Sequence, residues 1–148
     1  MADEKINIPP SGYSYIAINF AFIIIILLIL AYSFAYRGSN HIVPALLTEK
    51  TGIIPPSKGL SASFSEIVRG NFNEALSINH YSLRVFAFFA IQLLLRAAIA
   101  GAIYIKRLNI KKTVFADISL SLALFTWCFL PLIRYTFLQI GVLIKQAF

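Results

Sequence analysis

Residues Tyr15–Tyr36 read YIAINFAFIIIILLILAYSFAY, a stretch with no charged residue. A helix crossing a bilayer needs roughly 20 consecutive apolar residues, and this run has them. Tyr13 and Tyr15 at one end and Tyr32 and Tyr36 at the other match the aromatic belts that sit at headgroup level, and Arg37 follows directly outside. The same run could pack inside a soluble protein only if a soluble core existed to bury it. With 148 residues, 59% of them hydrophobic and 13% charged, the chain has no such core. Lipid is its natural solvent, and residues 1–148 read as a single membrane domain.

Two further runs have the length to span. Tyr81–Ile105, YSLRVFAFFAIQLLLRAAIAGAIYI, carries Arg84 near one end, where it can snorkel to water, and Arg96 deeper. Gln92 lies four residues before Arg96 and shares its helix face, so this face reads as a contact surface. Phe115–Ile144 holds Asp117 at its start, with Pro131 and Arg134 well inside. The proline predicts a kinked, somewhat long span rather than two short ones, either as packing geometry or as a gating hinge.

The formal net charge of +7 raises the question of nucleic acid. The basic residues are dispersed, however, except for four in KRLNIKK, Lys106–Lys112. In a chain this apolar, such a cluster marks a cytoplasmic membrane edge. Orientation follows: spans two and three form an inward-pointing hairpin, the amino terminus is cytoplasmic, and residues 37–80 face outward. The start, MADEKINIPPSGYS, carries acids where a signal peptide has a basic region, so the first span is expected to be retained. Cys128 is the single cysteine and is expected to serve packing; His41 and His80 are the two histidines. A disulfide within the chain is excluded, and no metal site or cofactor is expected.

The least apolar segment is TGIIPPSKGLSASFSEIVRGNFNEALSINH, Thr51–His80. From Leu60 onward, Leu60, Phe64, Ile67, Val68, Phe72, Ala75 and Leu76 recur at helical spacing, opposite Ser61, Ser65, Glu66, Arg69, Asn73 and Glu74. Ser63 with Glu66, and Asn71 with Glu74, have the form of helix-start capping pairs, and Gly70 is a break between them. Two short amphipathic interfacial helices over residues 60–79 are expected, entered through a turn with two prolines and two glycines, GIIPPSKG. The fold class is therefore an all-α integral membrane protein, with three transmembrane helices (about 15–36, 81–105 and 115–144) and this interfacial pair between the first two.

On these residues the chain resembles the bacterial membrane family called domain of unknown function twenty-seven fifty-two. That family's motif has the form T-G-x-x-C-P-x-C-G-L-T-R, followed by a short helix, a glycine, a small residue with leucine, and N-P before a span. Thr51, Gly52, Pro56, Gly59 and Leu60 match it, with Ser61 at the threonine, and Gly70, Ala75, Leu76 and Asn79 match the later positions. The likeness covers Thr51–Leu95. It departs where the family has its two cysteines, here Pro55 and Lys58, where it has arginine, here Ala62, and where proline follows the asparagine, here His80. Proline and lysine can neither ligate metal nor cycle as a dithiol, so the resemblance implies a shared fold with that chemistry removed.

The candidate functional residues are few. Lys58 could contact an anion or a partner, or be a solvated loop lysine. Arg84, Arg96 and Arg134 stand out because intramembrane arginines are rare and usually functional. Glu66 and Glu74 are expected partners for Arg84 and Arg134 in an internal salt-bridge network, with lipid headgroups or a protein partner as the other reading. Asp117 lies on the order of two turns from Arg96 along the axis. Arg96 is therefore expected either to bond Gln92, Thr126 and backbone carbonyls or to take its counter-charge from another subunit. The turn residues Thr51, Gly52, Pro55, Pro56 and Gly59 complete the set.

A nucleophile with its base, a phosphate loop and paired carboxylates are all missing, which disfavours an enzyme. The expected function is a non-catalytic accessory or assembly subunit of a larger complex of the bacterial inner membrane. Its expected partners are other membrane proteins and phospholipids, not nucleic acid. A small transport component or lipid-binding protein, using the arginines for an anionic ligand, is the alternative.

Overall fold

The computed structural model describes residues 10–35, 56–106 and 109–147. Among them are five helices: α1 (Pro10–Ala35), α2 (Leu60–Ile67), α3 (Phe72–Ile78), α4 (Ser82–Lys106) and α5 (Ile110–Ala147). Pro10–Ala35, Ser82–Ile105 and Ile110–Leu138 are long and apolar enough to cross a bilayer, with mean hydropathies of 2.7, 2.0 and 1.7. The chain is a multi-pass membrane protein. Pro131 lies inside α5 without dividing it, so the third span is one long helix as expected.

Helix α4 is the middle member, packed against α1 on one side and α5 on the other. On α1 the buried residues are Gly12, Asn19, Ile26 and Ser33, one every seventh position. A seven-residue period keeps one narrow seam facing a neighbour, as in coiled-coil packing of nearly aligned helices. Flanking residues such as Ile23 and Ile29 are half-buried, and the far face, including Phe20, Leu28 and Phe34, is exposed to the surroundings of the bundle.

The short helices sit where the sequence places them, but their internal logic differs. α2 begins after Gly59, whose φ of 80° is left-handed and which supplies no side-chain cap. A Cβ there would stand 2.9 Å from Ile78 Cγ2, so the position is closed to larger residues both sterically and conformationally. Ser63 is therefore not a cap; it lies inside α2, buried. The helix ends at Gly70, φ 84°: its N–H donates to the Ile67 carbonyl at 2.9 Å, and the Asn71 N–H donates to the Glu66 carbonyl at 2.9 Å. This paired closure uses the glycine's freedom to satisfy carbonyls that the helix leaves open. Asn71 does precede α3, but its side chain turns back to donate to Glu66 Oε2 at 2.7 Å instead of capping.

Residues 63–67 of α2 are all buried, including Ser65 and Glu66, which the amphipathic pattern had assigned to the polar side. The reason is location: α2 packs on α1, α3 and α4 at once, so its polar face is covered as well as its apolar one. Phe72 and Leu76 of α3 make the opposite departure and are exposed. The core at this end is Phe64, Ile67, Ala75 and Val85, with Ile29, Phe86, Phe89, Phe129 and Leu132 around it. Phe64 meets Phe86 edge-on at 5.3 Å and Phe89 at 5.8 Å, a geometry that aromatic quadrupoles favour.

Two polar clasps fix the short helices to the spans. Arg69 donates to the carbonyls of Ser33, at 3.5 Å, and Phe34, at 2.5 Å, closing the last turn of α1, and its guanidinium lies 5.6 Å from the Phe34 ring. Asn79, 8% exposed, donates from Nδ2 to the carbonyls of Pro56 and Lys58, both at 2.8 Å, and accepts the Tyr81 N–H at 2.8 Å. One amide thus ties the turn before α2 to the start of α4.

Candidate functional site

The three spans meet in a buried polar cluster built around Arg96 of α4. Its guanidinium has five N–H donors, and all five are used. Nε and Nη2 donate to Gln92 Oε1 at 3.1 and 3.0 Å, and Nη2 also donates to Ser121 Oγ at 2.6 Å. Nη1 donates to Asn19 Oδ1 at 3.3 Å and to the Asp117 carboxylate, with which it forms an ion pair. Asp117 is equally occupied: Oδ2 also accepts from the Tyr15 hydroxyl, and Oδ1 accepts from Ser121 Oγ at 3.2 Å. Asn19 holds its own rotamer by donating to the Tyr15 carbonyl at 2.8 Å, and the Phe22 ring lies 5.4 Å from the guanidinium.

Arg96 is 7% exposed, Asp117 5% and Asn19 0%, so both charges and their acceptors are withdrawn from solvent. Removing an isolated charge from water costs several kcal/mol, and in hydrocarbon an unpaired arginine cannot be sheltered. A pair of opposite charge with every donor filled offsets that cost. Tyr15 and Asn19 come from α1, Gln92 and Arg96 from α4, Asp117 and Ser121 from α5, so the cluster can form only when all three spans are in register.

This overturns the expectation that Asp117 lies two turns away from Arg96. Arg96 is ten residues before the end of α4 and Asp117 seven after the start of α5. With few residues between the helices, their levels differ by only ~4–5 Å at 1.5 Å per residue, which a long arginine side chain covers. Gln92 bonds Arg96 as expected, whereas the Thr126 hydroxyl donates to the Leu122 carbonyl and takes no part. Gln92 Nε2 is buried without a partner. Tyr15 and Asn19 carried no signal from charge; the mark that would have found Asn19 is the seven-residue spacing of Gly12, Asn19, Ile26 and Ser33.

The other candidates are not part of the cluster. Arg84 does not join Glu66 or Glu74; its guanidinium lies 4.7 Å over the Trp127 ring of α5, and its Nε is buried without an acceptor. Arg134 is exposed on α5. The Lys58 side chain is exposed, and its contribution is the carbonyl that Asn79 holds. Pro56 and Gly59 form the turn, while Thr51, Gly52 and Pro55 lie outside the described residues. Among the described residues no three His, Cys, Asp or Glu side chains come together to hold a metal. No family model matches the chain, and neither a curated protein nor a solved structure matches it.

Proposed function

We propose that the protein is a non-catalytic accessory or assembly subunit of a larger complex in the bacterial inner membrane. In this reading the amino terminus is cytoplasmic, and the short helices lie on the outer side. The observation that carries it is the saturation of Arg96. Its five donors and the Asp117 carboxylate are consumed within the bundle, so the deepest charges bind the spans to one another rather than a solute. What the protein offers its surroundings is an apolar exterior and the α2–α3 element clasped by Arg69 and Asn79.

The likeness of Thr51–Leu95 to domain of unknown function twenty-seven fifty-two belongs to the same proposal. The matching residues Pro56 and Gly59 form the turn, and the matching Asn79 donates to the carbonyls of Pro56 and Lys58 within it. That accords with a shared scaffold whose cysteine chemistry has been lost.

Extraction from its native membrane in mild detergent, followed by native electrophoresis and mass spectrometry, tests the reading. Stoichiometric co-migration with other membrane proteins is expected. Recovery solely as a monomer or as its own oligomer would overturn it.

A further inference from the structure

Arg84 and Arg134 remain unexplained by the bundle's own cohesion. Among the described residues neither makes a hydrogen bond or an ion pair, although Arg84 is half-buried and Arg134 exposed. Arg84 lies 22 residues from the end of α4 at Lys106, and Arg134 lies 24 from the start of α5 at Ile110. At 1.5 Å per residue both stand ~33–36 Å from the basic loop. That is about the ~30 Å thickness of the hydrocarbon core, so the backbones of both residues stand near the headgroup level of the opposite face, with the Arg84 guanidinium drawn toward Trp127.

Trp127 links them. It lies under the Arg84 guanidinium and, seven residues before Arg134, on the same stripe of α5. It also lines a shallow groove of about 630 Å³ with Ser119, Leu122, Ala123, Thr126 and Leu130, which runs from below Arg134 toward the basic loop. Small residues at 119 and 123 make the depression, and its walls are apolar.

We propose that Arg84 and Arg134 hold the phosphate of an anionic phospholipid, one of whose acyl chains lies in the α5 groove below Trp127. The charge decides the occupant. Among the described residues neither guanidinium has a carboxylate paired to it, so two positive charges are left for an anion, and a guanidinium matches a phosphate with two parallel N–H···O bonds. A zwitterionic lipid brings its own ammonium and gains less. Stacking on Trp127 fixes the guanidinium plane before the lipid arrives. The inference stands independently of the accessory-subunit reading.

The test is native mass spectrometry of the full chain released from nanodiscs containing equal phosphatidylglycerol and phosphatidylcholine. Wild type is expected to retain phosphatidylglycerol preferentially. Arg84→Gln should weaken retention about fivefold, and Arg84→Gln with Arg134→Gln on the order of twentyfold, since each basic residue near an anionic surface contributes about that factor. Lys111→Gln with Lys112→Gln, at the opposite face, should leave retention unchanged. Equal retention of the two lipids by wild type, or undiminished retention by the double variant, overturns the proposal. So does displacement of the lipid by inorganic phosphate, which would mark a small-anion site. Arg134→Gln alone alters an exposed side chain and keeps the test decisive if the Arg84 variant fails to fold; it should weaken retention about fivefold.

Discussion

Arg96 and Arg84 lie on the same helix, twelve residues apart, and the bundle treats them oppositely. Arg96 has five donors and five bonds, including a carboxylate, a hydroxyl and two amides drawn from three helices. Arg84 has an indole face and no acceptor among the described residues. The difference lies in what the neighbours carry: α1 and α5 bring Asn19, Asp117 and Ser121 to Arg96, while α5 brings the Trp127 ring to Arg84. An arginine inside a membrane helix is thus a structural member or an open ligand, according to the acceptors around it.

The contrast can be broken by mutation. Arg96→Leu leaves the Asp117 carboxylate buried without its cation and should destabilise the protein by about 3–5 kcal/mol. Denaturant titration in detergent, followed by circular dichroism, measures this, and adding Asp117→Leu should recover most of the loss. Asn79→Ala frees the Pro56 and Lys58 carbonyls and the Tyr81 N–H, for about 2 kcal/mol in the same titration, with faster proteolysis at the turn. Gly59→Ala forces a left-handed residue against Ile78 and should cost about 1–2 kcal/mol, again read by unfolding. Tyr15→Phe removes one of the bonds to Asp117 and should cost roughly 1 kcal/mol, within the range of hydrogen bonds between membrane helices. Arg84→Gln should cost least, about 0.5 kcal/mol for a cation–π contact near the membrane surface. If Arg84→Gln proved as damaging as Arg96→Leu, the distinction between the two arginines would fail.

Length and hydropathy made the three spans readable because a bilayer imposes one demand, about 20 apolar residues, that Tyr15–Tyr36 meets without ambiguity. Gly70 was readable as a break because only glycine takes a φ of 84° without strain. The cap at Ser63 misled because a serine followed three residues later by an acid fits a helix interior as well as a helix start. Glu66 and Ser65 misled for a different reason: periodicity describes one covering neighbour, and α2 has three. At the candidate site, Gln92 was recoverable from its four-residue spacing to Arg96. The pairing with Asp117 depended on where α4 stops and α5 begins, and an error of a few residues there moves a carboxylate by a helical turn. The participation of Tyr15 and Asn19 is a tertiary fact, since α1 is so uniformly apolar that only its seven-residue seam distinguishes one face from another.

The cluster also orders events during synthesis. Arg96 leaves the ribosome 21 residues ahead of Asp117, so α4 reaches the translocon with a charge whose partner has not yet been made. An arginine at mid-helix raises the cost of insertion by ~2.5–3.5 kcal/mol, and the first turns of α5 remove that burden. The second and third spans therefore cross the bilayer most readily as a joined hairpin. A nascent chain halted after Lys106 would carry Arg96 without its counter-charge, with only the Gln92 and Asn19 amides to receive its donors.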